Sequence, residues 1–286
     1  MKKITLLTIT VIIINVSLTK GQVSGNKIAI YNVGLGSLVS GIGALINKKP
    51  TEKWHKVVLK GMGQGALGGF LVYQSKNVIK EISVKENFNY SWYSKFVNSA
   101  GISIIESASA NRNFWEVWHL NIGFNRIEFR TKDKFQLKYK ILPISFIYTV
   151  VGFARTNFEL RRSTQTGEFI FSVDSANYSD GASVFANVAV FSRNNLNNYN
   201  LYSHETVHIY QYYDYNFVNT YLNKPLNTLR DKSTFFTKIN NLIYFDFQGA
   251  VLRPLYLMEN INQNCYFDNF FENEAEFFTN TPPQCR

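Results

Sequence analysis

The sequence predicts an α+β protein: helices first, then a sheet, then helices again. Three observations lead to this order. Two glycine-rich apolar runs between residues 28 and 79 read as helices. Between residues 120 and 191, several short segments alternate apolar and polar side chains, the period of a half-buried strand. From about Asn200 the pattern returns to helical spacing and is rich in tyrosine and phenylalanine. The chain of 286 residues is 45% hydrophobic and 16% aromatic, enough for a substantial core and unlike a disordered chain.

The first element is a helical hairpin over 28–79. Ile28 to Ile46 carries no charge and contains Gly34, Gly36, Gly41 and Gly43. Lys48-Lys49-Pro50-Thr51 makes a turn, and Val57 to Val78 follows with Gly61, Gly65 and Gly69 four residues apart. Glycine at that spacing lets two helices approach closely. The first run is long enough to span a membrane, whereas the second contains Lys60, Gln64 and Gln74. Membrane association through 28–79 and close packing in a soluble helix pair both stay open. Residues 80–115 continue with helical spacing, so 22–115 forms a helical region and 116–286 a second domain. Trp115 and Trp118 are expected in a core or an interface.

The strand pattern then takes over. Phe124 to Phe129 and Phe135 to Leu142 alternate, Pro143 interrupts, and Ile144 to Phe153 reads as a buried run. Phe158 to Leu160, Glu168 to Val173 and Ser183 to Phe191 complete a sheet of four to five strands over 120–191. Most links are short, which favours antiparallel pairing. A helix is expected from about Asn200 to Leu222, ended near Lys224-Pro225. A loop over Asn227–Ser233 leads to a helix over Thr237–Met258, kinked at Gly249 or Pro254. A short helix over Phe267–Phe278 closes the pattern.

The N-terminus reads as a targeting segment. Met1-Lys2-Lys3 is basic, Ile4 to Leu18 is apolar, and Thr19-Lys20-Gly21 ends the run. This is the pattern of a signal peptide over residues 1–21, which sends the chain to the periplasm, the outer envelope or outside the cell. An uncleaved anchor is the alternative. In an exported chain the two cysteines, Cys265 and Cys285, are candidates for a disulfide. The net charge is +10, but no run of Lys and Arg exceeds two and three of the positives lie in the targeting segment. Nucleic acid is therefore not an expected partner.

Chemistry concentrates in Tyr202-Ser-His-Glu-Thr-Val-His-Ile-Tyr-Gln211. His204, Glu205 and His208 form H-E-x-x-H. On a helix, residues four apart share a face, so His204 and His208 can present two imidazole nitrogens to one Zn²⁺. Glu205 stands beside them as a proton acceptor. A catalytic site needs a third protein ligand and an open position. Glu272 and Glu276 in Phe270–Phe277 lie four apart, with the small Ala275 between them. Glu272 is the expected third ligand, and Glu274, on another face, is the alternative. His55 and His119 each follow a tryptophan and have no partner at ligand spacing, so they are read as packed or surface histidines. No G-x-S-x-G and no P-loop occurs.

The stretches His204 to Gln211 and Glu272 to Glu276 resemble the gluzincin zinc metallopeptidases, the thermolysin-like class. The resemblance implies a zincin-like metal-binding domain with its sheet over 120–191, an active helix over 200–222 and a ligand helix over 267–278. It implies a hydrolase that acts on a peptide or protein substrate. Zinc would be held by His204, His208 and Glu272, with Glu205 as the general base. Glu276 would orient a ligand histidine through its other ring nitrogen. Gln211 matches the H-E-x-x-H-x-x-Q form of some members. The chain departs from the family in placing Glu at 276, where Asp is more usual, and in its long spacer between His208 and Glu272. Tyr256, Arg253, Tyr212 and Tyr215 are all candidate oxyanion donors, and the sequence does not choose among them. By analogy, the strand Ser183–Phe191 would hold an extended peptide at a sheet edge. Two other readings stand beside this one: an inactive zincin-like envelope protein with a structural or binding role, and a membrane protein with an incidental H-E-x-x-H.

Overall fold

The computed structural model describes residues 25–174, 181–261 and 265–279. The expected signal peptide, residues 1–21, and Cys285 lie outside those residues. The chain is α+β and mostly helical, with two small sheets.

Three helices form the N-terminal layer: α1 (Gly25–Ile46), α2 (Trp54–Lys85) and α3 (Tyr90–Ser109). The glycine spacing sets how α1 and α2 meet. A Cβ on Gly65 would fall 2.2 Å from the Gly36 carbonyl oxygen, and one on Gly69 would fall 2.2 Å from that of Asn32. The backbones touch there, and no larger residue fits. By length and composition α1 is apolar enough to cross a membrane, as a signal sequence or an anchor near the N-terminus would be. Its inner face (Ile28, Tyr31, Asn32, Val39) is buried in the protein core.

The single sheet expected over 120–191 is two sheets. Strands β1 (Val117–Ile122), β2 (Asn125–Arg130) and β3 (Gln136–Ile141) form an antiparallel meander, with Leu120 opposite Ile127 and Ile127 opposite Tyr139. The run after Pro143 is not a strand but helix α4 (Pro143–Arg155), and it separates the sheets. Its β-branched and aromatic residues suggest a strand. A distant residue stabilises the helical start instead: Asp246 accepts from the backbone N–H of Ile144 (2.9 Å) and Ser145 (3.0 Å). Nor is the run buried, since Ile147 is 59% exposed and Phe153 56%.

The second sheet has the order β4-β5-β7-β6, from β4 (Asn157–Phe158), β5 (Phe169–Val173), β6 (Ala182–Phe185) and β7 (Val188–Ser192). Helix α5 (Leu160–Thr166) lies between β4 and β5. β5 and β7 pair in parallel, with Phe171 opposite Val190, while the other named strand pairs are antiparallel, in keeping with a mostly antiparallel expectation. The strand expected over Ser183–Phe191 folds back on itself at Ala186 (φ 56°) to make the β6–β7 hairpin, so β6 is an outer edge.

The helix expected over 200–222 is α6 (Tyr199–Asp214) followed by the short α7 (Phe217–Tyr221). The side chain of Asn198 caps α6 by accepting from Leu201 N–H. Pro225 opens a helix rather than ending one: it lies in the first turn of α8 (Asn223–Lys232), where its missing N–H costs no intrahelical bond. The expected loop over Asn227–Ser233 is therefore mostly helix. The helix expected over Thr237–Met258 is two, α9 (Thr234–Leu242) and α10 (Gly249–Asn260). The last helix, α11 (Phe270–Phe277), is capped by Asn269, which accepts from Phe271 N–H.

The main core lies between the N-terminal helices and α6, α10 and α11. Val72, Ile79 and Ile102 meet Tyr202, Val207, Tyr210, Leu255, Phe271 and Ala275 there. Trp115 does not belong to it and is 49% exposed.

Candidate metal centre

Helices α6 and α11 pack face to face, and the fully buried Ala275 lets them approach. This brings His204 and His208 of α6 against Glu272 of α11. The three ligand atoms form a nearly equilateral triangle. His204 Nε2 is 3.1 Å from Glu272 Oε2, His208 Nε2 is 3.3 Å from that same oxygen, and the two Nε2 atoms are 3.0 Å apart. Tetrahedral bonds of about 2.0–2.1 Å to zinc put neighbouring ligand atoms about 3.3 Å apart. The donor set of two imidazoles and one carboxylate, drawn together around one point, thus fits a divalent cation.

Each donor is held from behind. His208 Nδ1 lies 2.8 Å from Gln211 Oε1, and His204 Nδ1 lies 3.5 Å from Glu276 Oε2. An acceptor at Nδ1 keeps the proton there and leaves the Nε2 lone pair for a cation. Glu272 turns Oε2 to the histidines while Oε1 accepts from the Tyr256 hydroxyl at 2.6 Å. Gln211 also donates through Nε2 to the Phe271 carbonyl (2.8 Å) and to Glu274 Oε2 (3.0 Å), so it joins the two helices.

Glu274, the alternative third ligand, stands away from the triangle. Its Oε1 accepts from Lys76 Nζ (2.8 Å) and Asn32 Nδ2 (2.9 Å). Two residues along a helix turn a side chain to the opposite side, so only one of Glu272 and Glu274 faces the histidines. Lys76 also meets Asp214 Oδ2 at 2.7 Å. One fully buried ammonium thus sits between a carboxylate of α6 and one of α11. Burial disfavours the Lys76 charge, but the two carboxylates outweigh it and hold its pKa above the ordinary value.

The electrostatics of the triangle follow from its crowding. Burial works to lower the His204 pKa, but the hydrogen bonds to Glu272 and Glu276 prevail and raise it to about 10. His208 is also raised, chiefly by Glu272, against its burial. Burial works to raise the Glu272 carboxyl, yet the histidines hold it far below the usual carboxylate range. Glu205 moves the other way: burial raises its pKa, and the histidines only partly offset that. Glu205 is 6% exposed, and among the described residues its carboxylate forms no hydrogen bond or ion pair.

Of the four candidate oxyanion donors, only Tyr256 reaches the cluster, and its hydroxyl proton is directed at Glu272. Tyr212 donates to Asp246 (3.0 Å), Tyr215 pairs with Tyr31 (3.5 Å), and Arg253 is exposed. His119 is buried against Ser103, and His55 lies on the surface. Cys285, the expected partner of Cys265, falls outside the described residues.

The supporting residues that spacing alone does not reveal are Lys76, Asn32, Asp214 and Tyr256. Lys76 does leave a trace: it lies in the stripe Val72, Lys76, Ile79, a lone charge on an apolar helical face. A comparison of the chain with family models, curated proteins and solved structures finds no match.

Proposed function

We propose that the protein is an exported, metal-dependent peptidase in which His204, His208 and Glu272 hold one zinc ion and Glu205 moves the proton. The observation that carries this reading is the His204–His208–Glu272 triangle with an unengaged, buried carboxylate, Glu205, beside it. A zinc ion in such a site supplies Lewis acidity toward a scissile carbonyl and toward an attacking water.

The chain's own residues do the rest. Glu205 takes the proton of the attacking water and returns it to the departing amine. Its raised pKa brings it toward the range of a base that works near neutral pH. Gln211 and Glu276 fix the imidazole tautomers, and Tyr256 orients Glu272. The strand β6 packs beside α6 and, among the described residues, ends its sheet, an edge where an extended peptide could add. Export rests on the basic N-terminus and the apolar run that follows it.

The test pairs metal analysis with one substitution. Purified protein is expected to carry one zinc per chain and to cleave members of a mixed peptide library. Glu205→Gln is expected to keep the zinc and lose cleavage. Zinc in both proteins without cleavage in either assigns the cluster to a structural or binding role. No zinc in the wild type overturns the metal site.

A further inference from the structure

A second concentration of charge lies around a cavity of about 290 Å³ between the three-stranded meander and helices α7–α9. Five cations line it: Arg112, Arg126, Arg130, Lys140 and Arg230. Only two carboxylates do so, Glu106 and Glu128. Both are already matched. Arg126 grips Glu106 through both terminal nitrogens (3.2 and 2.8 Å) and reaches Glu128 through Nε (3.0 Å). Arg130 closes on the other oxygen of Glu128 at 2.9 Å.

Arg112, Lys140 and Arg230 remain. Among the described residues none of them forms an ion pair, and the buried Nε atoms of Arg112 and Arg130 have no hydrogen-bond partner. Lys140 is only 8% exposed. Burial pulls the pKa of both Arg112 and Lys140 down, and Glu106 and Glu128 beside Arg112, and Glu128 beside Lys140, only partly offset it. These cations come from separate parts of the chain: the link after α3, strand β3 and helix α8. Five cations against two carboxylates leave an excess of positive charge in a partly desolvated wall, which is costly unless something negative joins it. Asn219 and Asn240 add neutral polar groups to the wall. A nucleic acid needs a long exposed track of cations. A cleft of about 290 Å³ suits a small molecule instead.

We propose that this cavity binds a small polyanion, a phosphate ester or a polycarboxylate, held by Arg112, Lys140 and Arg230. None of its lining residues belongs to the metal cluster, so the proposal stands independently of the peptidase reading.

The test uses the full chain. Binding of inorganic phosphate, ribose 5-phosphate and succinate is measured by calorimetry and by the shift in Tm, against sodium chloride at matched ionic strength. Saturable binding of at least one of the three, beyond the salt effect, is expected, and the arms distinguish phosphate from carboxylate ligands. Arg230 is on α8, which buries no residue, so Arg230→Gln leaves the core intact. It is expected to weaken binding roughly tenfold or more, the loss of one charge-assisted contact. Arg112→Gln combined with Arg230→Gln is expected to abolish binding, while Glu205→Gln leaves it unchanged. No saturable binding up to about 10 mM, or equal affinity in wild type and Arg230→Gln, overturns the proposal.

Discussion

Lys76 Nζ lies 2.8 Å from Glu274 Oε1, and this buried contact fastens the glycine-rich hairpin to the helix that carries Glu272. The same ammonium meets Asp214 at 2.7 Å, at the far end of the H-E-x-x-H helix. The hairpin is therefore part of the support of the candidate metal centre.

Lys76→Met tests that support. It leaves Asp214 and Glu274 buried without their cation, which costs about 3–5 kcal/mol when one member of a buried pair is removed. Urea denaturation is expected to show the loss, and zinc affinity to fall with it. A variant as stable as the wild type would show that the contact contributes nothing.

A pair of glycine substitutions separates close packing from helix propensity. In Gly69→Ala the new methyl meets the Asn32 carbonyl oxygen, and Asn32 holds Glu274. The expected cost is about 1–3 kcal/mol from overpacking. Nothing lies within 4 Å of a Cβ on Gly34. Gly34→Ala is expected to stabilise by up to about 1 kcal/mol, since alanine is the better helix former. Thermal unfolding of the two variants should move in opposite directions.

Metal binding should release protons. With His204 raised to about 10 and His208 also raised, the metal-free cluster carries protons at pH 7. A cation takes the neutral imidazoles, so at least one proton leaves and affinity rises with pH. Titration calorimetry in buffers of different ionisation enthalpy reads the proton count directly. Removing zinc with a chelator should lower Tm, and Gln211→Ala should weaken zinc binding roughly 10–100-fold.

His119 predicts a separate acid sensitivity. Burial first, and Arg126 next, lower its pKa from 6.5 to about 4. The unfolded chain therefore takes up this proton at a higher pH than the folded one does. The stability it contributes is complete above about pH 6.5 and falls as the pH drops toward 4, by about 3 kcal/mol in all. His119→Gln should flatten that part of the stability–pH curve. An unchanged slope between pH 6.5 and 4 would remove His119 as its cause.

The elements legible in the sequence were those whose signal is local. The α1–α2 hairpin follows from glycines four apart, and α6 from its helical spacing. The errors came where distant residues decide. Ile144–Phe153 has strand composition, yet Asp246, about a hundred residues away, caps it as a helix. β5 pairs in parallel with β7, a strand that is not its neighbour in sequence, and local pattern does not choose that partner.

The sequence by itself determined that His204 and His208 share a helix face with Glu205 beside them, because residues four apart on a helix align whatever surrounds them. It also determined the narrow set of acidic partners, Glu272, Glu274 and Glu276. Only the tertiary structure decided among these. The packing of α11 on α6 turns Glu272 to the histidines and Glu274 to Lys76, and within that contact lie the fully buried Ala275 and a buried cation from the N-terminal hairpin.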